Sequence, residues 1–199
     1  MTADLVLASA SPTRAALLEN AGLPVRCDPA HVDEAAVKES LQAEGANARE
    51  VAETLAELKA LKVSRRHAGA LVIGADQTLE LNGIWFDKPV DRDHARAHLT
   101  AFSGKTHRLN SAVAVVRDGE VLWHANDAAE LSVRPLDAAF IDRYLDAVGD
   151  DALGSVGAYR LEGIGAQLFT AVRGDYFTVL GLPLLPLLEF LRQHGALAR

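Results

Sequence analysis

Cysteine is nearly absent from this chain: Cys27 stands alone among 199 residues. No internal disulfide can form, and such usage fits a reducing compartment. Cys27 itself reads as a small buried hydrophobe rather than a nucleophile. Long hydrophobic runs are also missing. No stretch reaches the ~18 uninterrupted apolar residues of a membrane-spanning helix. The start, MTADLVLASASPTR, has neither a basic opening nor an apolar run of leader length. A soluble, cytoplasmic protein without a membrane partner is expected. There is no excess of positive charge either. Twenty Lys and Arg against 27 Asp and Glu leave a net charge of -7, which argues against a nucleic acid polymer as the main partner. A small anionic ligand stays open, because a few local cations and a metal ion can invert the field of one cleft. The phosphate loop Gly-x-x-x-x-Gly-Lys-Ser/Thr is absent, which removes phosphotransferases built on it. Without repeats, low-complexity runs or a linker, residues 1–199 read as a single domain or two small lobes.

What is present is a chain that is 49% hydrophobic, enough for a packed core. Its centre is ALVIGADQTLELNGIWFDKPVD, Ala70 to Asp91. The run Ala70 to Ile73 predicts a buried strand ending at Gly74-Ala75, with Asp76 just past the strand end, where α/β proteins place their sites. Asn82-Gly83 between apolar runs predicts a tight hairpin. That hairpin would return Asp87-Lys88-Pro89 beside Asp76, a carboxylate and an ammonium suited to a metal-bound phosphate chain. A strand-end cap and a solvated lysine fit the same residues.

Upstream, Asp4 to Ala8 predicts a strand, Ser9-Ala10-Ser11 a turn, and Ser11-Pro12 a capped helix start stopping at Gly22. Ser9, Ser11 and Arg14 form either a phosphate cradle at a helix N-terminus or an ordinary cap with an exposed arginine. Pro24 to Pro29 reads weakly as a strand, and His31 to Glu34 as a polar loop with two carboxylates. Asn47 to Arg66 predicts an amphipathic helix with Val51, Leu55, Leu58 and Leu61 on one face and Lys59 adjoining it. Asp91 caps a helix to about Phe102. Strands are expected over Thr106–Val116 and Glu120–Val133, joined at Asp118-Gly119. His107 either faces the site or is structural. A helix over Leu136–Val148, strands over Ala166–Val172 and Phe177–Leu180, and a closing helix to about His194 complete the pattern.

Taken in order, these segments resemble the Maf family of nucleoside triphosphate pyrophosphatases. The blocks are LASASPTRAALLENAGL, LAELKA, GADQTLELNGIWFDKPVD, FSGKTHRLNSAVAV, and GAYRLEGIGAQLF with GDYFTVLGLPL. The resemblance implies an α/β fold: a central mixed, twisted sheet flanked by helices, in two lobes with the active-site cleft between them. It further implies hydrolysis of a nucleoside triphosphate to the monophosphate and pyrophosphate. By position, Asp76 matches the proton acceptor, Lys59 and Lys88 the catalytic lysines, and Ser9, Ser11 and Arg14 the substrate-phosphate loop. Glu34 and Asp76 match the ligands of a divalent cation, Mg²⁺ or Mn²⁺. A homodimer is plausible by the same resemblance. Thr13, Gln77 and Glu162 fall where specificity residues lie. An Arg, Thr, Gln set goes with dTTP and UTP; a bulky residue, Gln, Glu set goes with 7-methyl-GTP, and two of the three residues here lean that way. Ser155-Val156 stand where Asp-Lys is usual, matching neither set. The alternative function is a nucleotide-sensing regulator of cell division that binds triphosphates without cleaving them.

Overall fold

The computed structural model describes residues 4–197. The first three residues, part of the start read above for a leader, lie outside that range. In chain order the elements are β1 (Leu5–Leu7), α1 (Pro12–Asn20), β2 (Arg26–Cys27), α2 (Glu34–Ala43), α3 (Ala48–Ser64), β3 (Leu71–Leu81), β4 (Ile84–Phe86), α4 (Arg92–Phe102), β5 (Thr106–Arg117), β6 (Glu120–Val133), α5 (Ala138–Val148), β7 (Phe169–Arg173), α6 (Tyr176–Val179) and α7 (Leu184–Gln193). The strands form one mixed sheet in the order β2-β1-β3-β5-β6-β7, with β4 paired to β3 off that path. β1 runs parallel to both β2 and β3, while β3–β4 and β6–β7 are antiparallel. This is the α/β class with a central mixed sheet that the sequence led us to expect. Among the described residues no helix is long and apolar enough to cross a membrane.

Several starts follow from capping chemistry. Ser11 caps α1 with Pro12 at its first position, and Asn47 with Glu50 makes a reciprocal capping box on α3. Asp91 and Asp137 cap α4 and α5. The β3–β4 turn holds Asn82 and Gly83 at φ of 53° and 80°, the left-handed pair that a two-residue hairpin requires.

Five expectations are corrected. β3 does not end at Gly74 but runs on to Leu81, so Asp76 sits inside a buried strand. A Cβ at Gly74 would fall on the Ala56 carbonyl oxygen and 2.8 Å from the Ala60 amide nitrogen. Gly74 therefore marks the close approach of α3, not a strand end. The loop expected at Glu34 is the first turn of α2, a helix none of whose residues is buried. Phe177–Leu180 is not a strand: Asp175 accepts from the Phe177 and Thr178 amides and starts α6. Cys27 is exposed, because β2 is a two-residue edge strand. On α3 the buried stripe includes Lys59 itself, while Leu58 is turned outward.

The chain divides into two compact units. Among the described residues, the first holds those up to Gln77, 110–127 and those from Asp175 on; the second holds 78–109 and 128–174. In the first unit, Leu5, Leu7, Leu71, Ile73, Val113 and Val115 pack with Leu17 and Leu18 of α1 and Leu187 and Leu191 of α7. The alternating strand residues Val6, Val72 and Val116 pack instead with Ala60 and Val63 of α3. Each such side chain contributes about 1.5–3 kcal/mol on burial.

The second unit is organised around rings. Phe86 and Phe102 meet at 4.8 Å, Phe102 and His107 at 5.0 Å, and Tyr159 and Phe169 at 4.8 Å between centroids. His107, expected either at the site or as a structural residue, is structural: 1% exposed, with its Nε2 2.6 Å from the Tyr159 hydroxyl. Burial lowers its pKa to about 4. His98 is also lowered to about 4 by burial, reinforced by His94 and opposed by Asp87. Both imidazoles fold neutral, yet in the unfolded chain they take up protons below about pH 6.5. The unfolded state then binds more protons, so stability is complete above that pH and falls as pH drops toward 4. A melting temperature that declines from pH 7 to pH 4.5, with amide exchange rising first in α4 and β5, is expected. A flat profile would show that the folded state protonates these rings.

Candidate active site

Lys59 sits between two carboxylates. Its Nζ is 2.6 Å from Asp76 Oδ1 on β3 and 2.6 Å from Glu34 Oε1 in the first turn of α2. The Lys59 and Asp76 side chains are 9% and 8% exposed, whereas Glu34 is 45% exposed. The capped α3 and the glycine opposite it bring this about. Gly74 lets α3 lie against β3, and Asp76, two residues further along the strand, faces the same helix.

Arg14 comes to the same region from α1. Its Nε donates to the Gly181 carbonyl at 2.8 Å, and its Nη1 to the Ala75 carbonyl at 3.0 Å and to Ser9 Oγ at 3.3 Å. Nη2 has no hydrogen-bond partner among the described residues, so its two donors are free for a ligand. Burial draws the Arg14 pKa down, and the charges of Asp76 and Glu34 oppose that shift. Ser11 Oγ accepts from the Arg14 amide, and Ser9 Oγ accepts from the Ser11 amide. Of the capping reading of this corner the cap is present, but the arginine is half-buried rather than exposed. Ser11 is an ordinary cap, while Ser9 and Arg14 are locked together with one guanidinium edge unused.

Gln77 follows Asp76 and points to the opposite side of the strand. Its Nε2 lies 2.9 Å from Ser111 Oγ, 3.0 Å from the Thr178 carbonyl and 3.1 Å from the Val179 carbonyl. Thr13 is half-buried on α1. The first unit thus gathers Ser9, Ser11, Thr13, Arg14, Glu34, Lys59, Asp76 and Gln77. Lys88, two residues beyond β4, and Glu162, in the turn before the Ile164–Leu168 3₁₀ segment, belong to the second unit and are exposed.

The residues that position the site were not visible in the local sequence pattern. Ser111, Thr178 and Gly181 reach Gln77 and Arg14 across separations of 34, 101 and 167 residues. Only the density of glycine near the end of the chain hinted at close backbone approach there.

Glu34 and Asp76 offer hard carboxylate oxygens that meet at one ammonium. Among the described residues no cluster of three or more His, Cys, Asp or Glu side chains is placed to hold a metal ion. Two carboxylates are the donor type that a hard cation such as Mg²⁺ takes when water and phosphate oxygens complete its shell, and here both are turned to Lys59.

Known proteins resemble this chain over nearly its whole length. The model of the family described as Maf-like protein matches residues 4–194. A nucleoside triphosphate pyrophosphatase of Paramagnetospirillum magneticum is 57% identical over 192 residues, covering 96% of this chain and 99% of that protein. A 7-methyl-GTP pyrophosphatase of Mesorhizobium japonicum is 55% identical over 197 residues, 99% of each chain. One of the same description from Brucella suis is 55% identical over 194 residues, 98% of each chain. A match of this extent leaves one assignment: the chain belongs to the Maf-like protein family.

Proposed function

We propose that this protein hydrolyses a nucleoside triphosphate to the monophosphate and pyrophosphate, with 7-methyl-GTP as the first candidate substrate. The observation that carries the reading is the Glu34–Lys59–Asp76 cluster beside an arginine with one free edge. The names of relatives above 50% identity agree with it. Gln77 and Glu162 are the residue types expected for the methylated purine.

In this mechanism Arg14 Nη2 donates to a substrate phosphate and orients the chain. The dipole of α1 favours the same negative charge, although Pro12 carries no N–H and the Arg14 amide is already taken by Ser11 Oγ. Asp76 accepts the proton of the attacking water. Lys59 holds Asp76 in place and offsets negative charge that gathers at the phosphates in the transition state. Glu34 and Asp76 would hold the Mg²⁺ or Mn²⁺, which when bound neutralises phosphate charge and acidifies water. Charge supports such an ion: the two carboxylates cancel the two cations Arg14 and Lys59, leaving the cluster with no excess to meet a polyanion. Lys88 enters as a further phosphate cation on the strength of its motif.

The test is pyrophosphate release by the purified protein with Mg²⁺ or Mn²⁺, across 7-methyl-GTP, GTP, dTTP, UTP, ATP and CTP. Release from one or two of these, abolished by chelation, is expected. No release from any would overturn the reading.

A further inference from the structure

Gln77 is held by more contacts than a side chain needs merely to rest on a surface. Two of its three acceptors are backbone carbonyls, Thr178 at 3.0 Å and Val179 at 3.1 Å. A carbonyl accepts only, so the amide nitrogen must be the end turned inward. Ser111 Oγ accepts from the same nitrogen at 2.9 Å and donates to the Thr178 carbonyl at 2.8 Å, closing a small ring of hydrogen bonds. Thr178 is itself fixed, because its Oγ1 donates to Asp127 Oδ2 at 2.7 Å. Ser111 and Thr178 are both fully buried.

The consequence lies at the other end of the amide. Gln77 Oε1 has no hydrogen-bond partner among the described residues and is not sealed from solvent. It faces the bare side of Gly181, where a Cβ would come within 3.6 Å of it and 3.4 Å of Arg14 Nη2. Gly181 has φ of 91°, and it leaves that space open. An outward-facing carbonyl oxygen repels phosphate oxygens and takes a donor. The phosphate side of a ligand would meet Arg14, and only an N–H or O–H would suit Gln77.

We propose that Ser111, Thr178 and Asp127 are positioning residues that lock Gln77 with its carbonyl outward. Gln77 is thereby an obligate acceptor for a donor on the nucleoside, either a base N–H or a ribose hydroxyl. The inference rests on the triphosphatase reading and adds the residues that enforce its substrate choice. A freely turning glutamine can offer either its oxygen or its NH₂ and discriminates weakly. A locked one leaves the wrong ligand with an unpaired buried group.

The experiment compares Ser111→Ala, Thr178→Val, their double variant and Thr178→Ser with the unaltered protein. The readout is kcat and KM for 7-methyl-GTP, GTP, dGTP, UTP and dTTP. The ratio of kcat/KM between the best and worst substrates is expected to fall about tenfold in the double variant. The loss should be carried by KM of the best substrate, with the melting temperature recorded alongside. Thr178→Ser, which keeps the hydroxyl to Asp127, should retain the ratio. A GTP against dGTP difference that vanishes in the double variant assigns the donor to the ribose; a purine against pyrimidine difference that vanishes assigns it to the base. A ratio within twofold of the unaltered protein in a folded double variant overturns the proposal while leaving hydrolysis intact. If the double variant does not fold, Ser111→Ala alone decides by the same criterion. Absence of pyrophosphate release from the unaltered protein would instead remove the reading beneath it.

Discussion

Asp76→Asn is expected to lower kcat for pyrophosphate release by about 10³-fold while the nucleotide still binds. Asparagine keeps the size of aspartate but gives up the negative charge and one acceptor. It cannot take a proton from water, and it weakens any hold on a divalent ion. Folding should survive, because Lys59 keeps Glu34 at 2.6 Å as a second counter-charge. Calorimetric titration of the variant with substrate separates the two effects: a dissociation constant within a few-fold of the wild type, with turnover gone, is the expected pair. Turnover close to wild type would remove Asp76 from the reaction.

Lys59→Met is expected to cost stability as well as activity. Methionine matches the lysine stem in volume but leaves Asp76, with a side chain 8% exposed, without its ammonium. Removing one partner of a buried ion pair typically costs about 3–5 kcal/mol. Glu34 is 45% exposed and regains water, so the lower end applies. For a chain of this size that corresponds to a fall in melting temperature of roughly 6–12 °C. Glu34→Gln should by contrast move the melting temperature by no more than about 2 °C, since an exposed partner of an ion pair contributes little. Equal shifts in the two variants would show that Asp76 does not depend on Lys59 for its burial.

Metal dependence is distinct from both variants. Glu34 and Asp76 serve Lys59 and are also the two carboxylates proposed to hold an ion. Magnesium titration of the Glu34→Gln protein therefore reports on a role that thermal melting does not.

The local chemistry of the chain settled a good deal. Ser11-Pro12 and Asp91 start their helices as read, because a cap is decided by residues within three positions of it; the caps at Asn47 with Glu50 and at Asp137 are of the same kind. The Asn82-Gly83 hairpin is equally local. The family motifs, matched from residue 4 to 194, brought out the candidate residues in order. Where the local signal was ambiguous, the reading went astray. Gly74 reads as a strand end until α3 is placed against it, and the short apolar run Phe177–Leu180 suits either period. α2 buries none of its residues, so no core-facing stripe marks it as a helix.

Contacts between distant segments belong to the tertiary structure alone. No spacing in the chain states that Lys59 Nζ sits between Glu34 and Asp76, that Arg14 is tied to Ala75 and Gly181, or that Thr178 turns the amide of Gln77 inward. The physical reason is that periodicity and propensity act over a few residues. The pairing of buried charges and hydrogen bonds is decided by which groups the packed core leaves adjacent, whatever their distance along the chain. From its sequence this protein determined which residues can do chemistry; only the folded core decided which of their atoms remain free to do it.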